Sequence, residues 1–172
     1  FDRVPRDFET HKVIANNFKG SFDATEHLIL SGKRTIAHLT NSENLSITKE
    51  RLEGYKAALT KYHIGFNPEL VKYCQHGGMH RAELEQAVNE LLPLNPDGIF
   101  ISSDRLTTGC IMALKKTNPE IVHKIAIAGF TNSNLVELFS PSLTSVKQPA
   151  FEMGQVATEL LISMIEAKRP VT

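Results

Sequence analysis

Two hydrophobic periods alternate along this chain. Short apolar runs that suit strands are separated by longer stretches in which apolar positions recur every three or four residues, as on a helix face. Phe18, Phe22, Thr25 and Ile29, with Ala24 and Leu28 beside them, share one helical face. Ser31-Gly32 supplies the stop, because glycine takes the left-handed conformation beyond a helix end without strain. Residues 34–40 then read as a strand and 41–45 as a polar loop. A helix follows, capped by Ser46 or Thr48, with Leu52, Tyr55, Leu59 and Tyr62 as its core stripe and Gly65 as its end. Residues 70–74 form the next strand, and Leu84, Ala87, Val88 and Leu91 mark the next helix. Residues 98–102 are a continuous apolar run, as expected for a strand covered on both faces. Leu106, Cys110, Ala113 and Leu114 define another helix, and 125–128 the fourth strand. Residues 131–141 are mixed, and 144–147 are extended. Met153, Val156, Ala157, Leu160, Leu161, Met164 and Ile165 make the last and strongest helical stripe, which stops before Pro170.

Strands separated by helices at intervals of roughly 30 residues are repeated βαβ units, which close into a parallel sheet with right-handed crossovers. The predicted class is therefore α/β, a parallel sheet with helices on both faces. In such open sheets ligands sit beyond the carboxyl ends of the strands. The residues after Leu39, Tyr73, Ile101 and Ala128 are thus the first place to seek a site.

Length and charge narrow the reading. The 172 residues suffice for one substantial domain, or for one complete lobe plus part of another. Lys+Arg and Asp+Glu balance at 19 each, whereas a domain that grips nucleic acid by itself is usually basic, so these residues are not expected to hold DNA directly. Cys74 and Cys110 both lie in apolar runs and read as reduced core thiols. No run is long and apolar enough to suggest a membrane span. Phe1-Asp2-Arg3 reads like the end of a buried strand, and the chain is expected to be a fragment of a longer protein.

The predicted strand ends carry hydrogen-bonding groups and no catalytic set. After the first come Thr40 to Asn44 and then Arg51, whose five donors in a fixed fork suit a carboxylate, a phosphate or paired sugar hydroxyls. The plainer alternative is a surface arginine near a helix start. After the second come Gln75-His76-Gly77-Gly78-Met79-His80. His76 and His80 have a chelating spacing, but the glycines argue against a continuous helix holding both, and no third ligand is apparent; no metal site is expected. After the third comes Ser103-Asp104, where Asp104 can cap the next helix. After the fourth comes Gly129-Phe130-Thr131-Asn132, a loop of neutral donors and acceptors. Nucleophile-elbow, Walker and dinucleotide-binding glycine motifs are all missing, so binding without turnover, and no cofactor, is the expectation.

A series of short motifs runs through these segments. Asn16-Asn17-Phe18-Lys19-Gly20 leads into Ala24-Thr25-Glu26-His27-Leu28. Gly32-Lys33-Arg34-Thr35-Ile36-Ala37 enters a strand, and Arg51-Leu52-Glu53-Gly54-Tyr55-Lys56-Ala57-Ala58-Leu59 forms a helix. Pro96 to Phe100 ends in Ser103-Asp104; Gly129-Phe130-Thr131-Asn132, Pro141 to Pro149, and Met153-Gly154 to Leu160-Leu161 follow. Each piece is weak alone. In this order, over nearly the whole chain, they resemble the lactose/galactose-repressor (LacI/GalR) family of bacterial transcription regulators.

The resemblance implies a periplasmic-binding-protein-like domain of two lobes with a small effector, a sugar or sugar derivative, in the cleft between them. Residues 16–146 would form the complete C-terminal lobe. Residues 1–15 and 147–163 would belong to a partial N-terminal lobe, and 164–172 would return toward the first. Operator DNA would be read by a head absent from this chain, in a cytoplasmic homodimer, with the stripe 153–165 and residues 135–139 as candidate dimer contacts. Carried over by position, the effector-binding residues would be Asp2, Arg51, Met79, Ser103, Asp104, Thr131 and Gln148. The sequence departs from the family pattern at Asn16 and at Thr131-Asn132, where aspartates are usual, and at Met79, where an aromatic is common. Fewer acids mean fewer bidentate acceptors for sugar hydroxyls, which leaves a sugar held differently or a more acidic ligand open. The competing reading is a periplasmic sugar-binding protein of an ABC transporter, which shares the two-lobed fold.

Overall fold

The computed structural model describes residues 9–133 and 143–167. Its elements run α1 (Asn17–Leu30), β1 (Ile36–Asn41), α2 (Ser46–Lys61), β2 (Val71–Cys74), α3 (Arg81–Leu91), β3 (Gly98–Ile101), α4 (Asp104–Thr117), β4 (Ala126–Phe130), β5 (Thr144–Val146) and α5 (Ala150–Glu166). The strands form one sheet in the order β2-β1-β3-β4-β5, every pair parallel. The extended segment after the fourth strand thus joins the sheet as a fifth, in register with β4 from Ala128↔Thr144 to Phe130↔Val146.

Strand alternation divides the interior into two cores. Ala37, Leu39, Ile99, Ile101 and Ile127 pack against Leu84, Ala87, Val88 and Leu91 of α3 and Leu106, Cys110 and Leu114 of α4. Ile36, Phe100, Ala128 and Phe130 face the other way, onto Ala24 and Leu28 of α1 and Tyr55, Ala58 and Leu59 of α2. Because successive side chains of a strand point to opposite faces, a run such as Ile-Phe-Ile at 99–101 feeds both layers at once. Crossover direction reverses between β1 and β3, the kind of switch point at which open parallel sheets bind ligands.

Helix ends explain where sequence reading and structure part. Asn16 caps α1, its side chain accepting the Lys19 N–H at 2.9 Å. Gly32, at φ 87°, closes that helix while Lys33 N–H reaches back to Leu28 O, as expected. The start of α2 differs: it begins at Ser46 after Leu45, with no side-chain cap bond, so neither Ser46 nor Thr48 caps it. Its end comes earlier than Gly65. His63 takes the left-handed conformation at φ 57°, and Ile64 N–H bonds Leu59 O at 2.9 Å. Ile64 packs on the α1–α2 core, and that burial offsets the strain of a left-handed non-glycine residue.

The stripe on α5, a contact surface or intradomain core by sequence, is not core of the described residues. Only Met153 is buried there, while Phe151 is 82% and Ile165 74% exposed. The helix leaves the sheet and does not complete either core. Residues 135–139, the other candidate contact, lie outside the described residues. No helix among the described residues is long and apolar enough to cross a membrane.

Candidate functional site

Arg51 organises the carboxyl edge of the sheet. Rising from the second turn of α2, it is only 2% exposed, so the surface reading is wrong. Its Nη1 donates to Ser102 O just beyond β3. Its Nε and Nη2 donate to Asn17 Oδ1 on α1, at 3.1 and 2.8 Å. The guanidinium lies 3.7 Å from the centre of the Phe130 ring at the end of β4. One planar fork thus joins α1, α2, β3 and β4, a task that suits arginine's fixed donor geometry and weakly hydrated face. Asn17 is itself oriented by Glu50, to whose Oε2 its amide donates at 2.8 Å.

The next group along this edge is Asp104 with Thr131. Asp104 is the first residue of α4, after Ser103 at the N-cap, and no side-chain cap bond is made there. Its carboxylate instead accepts the Thr131 hydroxyl. The expected capping role is therefore replaced by a link to β4, although a carboxylate in a first helical turn still gains from the helix dipole. Thr131 is buried, and its hydroxyl also accepts Ser133 N–H at 3.1 Å. Ser103 sits between the two groups. Its carbonyl accepts the Thr107 hydroxyl at 2.9 Å, while its own hydroxyl is buried without a partner, as are those of Thr40 and Thr48.

Other predicted positions fall less centrally. Gln148 is tied to Asn132 by its backbone, its N–H donating to Asn132 Oδ1 at 2.8 Å and its carbonyl accepting from Nδ2 at 2.9 Å. Met79 is 68% exposed on the turn made by Gly77 and Gly78, and Gly78 presses close to Arg105 and Leu106 of α4. Asp2 lies outside the described residues. His76 and His80 stack with ring centres 4.0 Å apart, but Glu83 is occupied by the backbone N–H groups of Gln75 and His76. Among the described residues no group of three or more His, Cys, Asp or Glu is placed to hold a metal. Of the two open cavities described, one of about 380 Å³ lies against Phe18, Glu50 and Leu52, touching the Arg51 cluster only through Glu50, and one of about 410 Å³ lies between β2 and α3.

Sequence reasoning missed Asn17 and Phe130 as parts of this cluster. Each stands in a quoted motif, but their meeting with Arg51 depends on the α1–α2 packing and the β3–β4 pairing, which no local pattern shows. It also missed His38. That imidazole is fully buried in a cluster with Tyr55 and Phe100, ring centres 5.1 and 4.6 Å away, with Nδ1 3.1 Å from Phe100 O. Burial pushes its pKa down to about 4, so it is neutral near pH 7. Cys74 and Cys110 are free and buried, their thiols pushed up to about 12 chiefly by burial, so neither is a thiolate at neutral pH.

Comparison with known proteins places this geometry in a family. Residues 25–172 match the family described as a periplasmic binding protein-like domain. The chain is 30% identical over 171 residues to the HTH-type transcriptional repressor PurR of Aliivibrio fischeri strain MJ11, covering 97% of this chain and 50% of that protein. It is 33% identical over 158 residues to the ribose operon repressor of Halalkalibacterium halodurans, covering 91% of this chain and 46% of that one. A transcriptional regulator, CelR, solved in complex with cellobiose superposes with a TM-score of 0.82 at 29% identity, over 99% of this chain and 53% of that structure. The chain spans about half the length of the curated relatives it matches. With a parallel five-stranded sheet, polar groups gathered at its carboxyl edge and these relatives, the chain belongs to the periplasmic binding protein-like domain family, in the form carried by LacI-family transcriptional regulators.

Proposed function

We propose that this chain is the ligand-sensing part of a transcriptional regulator, and that it holds a small effector, a sugar or sugar derivative, at the carboxyl edge of the sheet without transforming it. The observation that carries this reading is the convergence of Arg51, Ser103, Asp104 and Thr131 at the ends of β3 and β4, next to the point where crossover direction reverses. Asp104, exposed and with Oδ1 accepting the Thr131 hydroxyl, offers its second carboxylate oxygen to ligand hydroxyls. The cellobiose bound by the related regulator supports a sugar as the chemical class.

In this reading residues 16–146 are one lobe. Residues 1–15 and 147–163, with the bare apolar face of α5, belong to a second lobe completed by chain outside this sequence, and 164–172 return to the first. The effector lies between the lobes and biases their relative orientation. That bias reaches operator DNA through a head outside this chain, in a cytoplasmic homodimer. Such coupling requires that the effector bind the two orientations with different affinity.

The test is a thermal-shift panel of mono- and disaccharides and their phosphates on the intact protein that contains this chain. A binder raises the melting temperature, because ligand bound to the native state stabilises it. Asp104→Asn keeps an acceptor for Thr131 but loses the charge, and is expected to weaken the binding sugar about tenfold. Unchanged affinity removes Asp104 from the site, and no shift with any sugar or sugar phosphate overturns the sugar-sensing reading. A sugar-binding parent without sequence-specific DNA affinity in a gel-shift assay would be the transporter-type binding protein instead.

A further inference from the structure

We propose that Asn132 is a positioning residue that couples the Thr131–Asp104 contact to the start of α5. The last backbone rung between β4 and the β5 segment is Thr131 N–H to Val146 O, at 3.2 Å. One residue further on, the Asn132 side chain takes over the ladder, accepting Gln148 N–H and donating to Gln148 O, at 2.8 and 2.9 Å. A primary amide presents an acceptor and a donor side by side, as a neighbouring strand would. Gln148 O also accepts Ala150 N–H at 2.8 Å, where Pro149 leads into α5.

Three consecutive residues are therefore held from both sides. Thr131 is anchored to the first residue of α4 through Asp104, Ser133 N–H rests on the Thr131 hydroxyl, and Asn132 between them grips the segment that enters α5. A ligand that takes Asp104 Oδ1 or the Thr131 hydroxyl competes with the bond between them. The displacement reaches Gln148 through a single residue, with no long chain of contacts required. An amide suits this place because a carboxylate would set a second acceptor against the Gln148 carbonyl. The inference rests on the reading above that this edge holds the effector and that 147–149 lead out of the lobe.

Hydrogen exchange in the intact parent protein tests the coupling without any ligand. Asn132→Ala is expected to speed amide exchange over residues 148–153 roughly five- to tenfold, the loss of about one hydrogen bond, while residues 98–101 and 126–130 stay protected. Asn132→Asp, alike in shape, raises it as well, whereas a side chain that merely filled space would be indifferent to that change. Thr131→Val raises exchange over 148–153 too, and the double variant with Asn132→Ala goes no further than Asn132→Ala alone, as expected when one path carries both effects. Unaltered exchange in Asn132→Ala or Asn132→Asp, or fully additive single variants, overturns the coupling. The sugar panel decides the effector reading separately, because this exchange experiment needs no effector.

Discussion

At the scale of single residues, Arg51 does two jobs that its position alone does not reveal. It contributes a cation at the proposed site, and it is a buried strut between Asn17, Ser102 and Phe130. Arg51→Ala leaves the Asn17 and Ser102 oxygens unpaired and opens a cavity, and should cost about 3 kcal/mol of stability in urea denaturation. Arg51→Lys should not recover it, because a single ammonium cannot span both partners. A loss under 1 kcal/mol would show that the strut is unimportant. His38 makes a second prediction, with a pH sign. Its pKa falls from about 6.5 when unfolded to about 4 when folded, so the unfolded chain binds the proton more tightly. The stability that the neutral ring contributes is complete above pH 6.5 and declines as pH falls toward 4, by up to about 3 kcal/mol. His38→Phe keeps an aromatic ring against Tyr55 and Phe100 but cannot titrate, so its stability should stay flatter across that window. An equal decline in both proteins would assign the acid sensitivity elsewhere.

At the scale of elements, α1 and α2 owe their close approach to one glycine. A Cβ on Gly54 would stand 2.3 Å from Phe18 O and 2.8 Å from Ser21 Cβ. Alanine usually stabilises an exposed helix interior by up to about 1 kcal/mol relative to glycine. Here backbone blocks it, and Gly54→Ala should destabilise by about 2 kcal/mol or more and loosen Arg51 from Asn17. Thermal melts would settle the sign, and a gain would mean that the helices can part without penalty. The element pattern itself was largely legible from residues. Leu84, Ala87, Val88 and Leu91 on α3, and the run at 98–101, stand where their periods put them. The misreadings were local competitions, such as His63 closing α2 before Gly65 because Ile64 finds a core to enter.

At the scale of the whole molecule, α5 is an apolar helix whose sequence is written for burial that the described residues do not supply. Val156, Leu161 and Ile165 are 51%, 56% and 74% exposed. Exposed apolar faces of this kind mark interaction surfaces or drive association. The isolated chain should self-associate in sedimentation velocity, and replacing those three residues by Ser should suppress this while changing unfolding free energy by no more than about 0.5 kcal/mol. A monomeric wild-type chain at high concentration would refute that. Hydrophobic period, helix-stop residues and motif order together determine an α/β parallel sheet and its family, because alternation and helical stripes are properties of neighbouring positions. Which groups meet at the sheet edge was settled only by tertiary structure. Asn17 with Arg51, Asp104 with Thr131 and Asn132 with Gln148 lie 34, 27 and 16 residues apart. Strand order and helix packing, not local pattern, bring such distant residues within hydrogen-bonding reach.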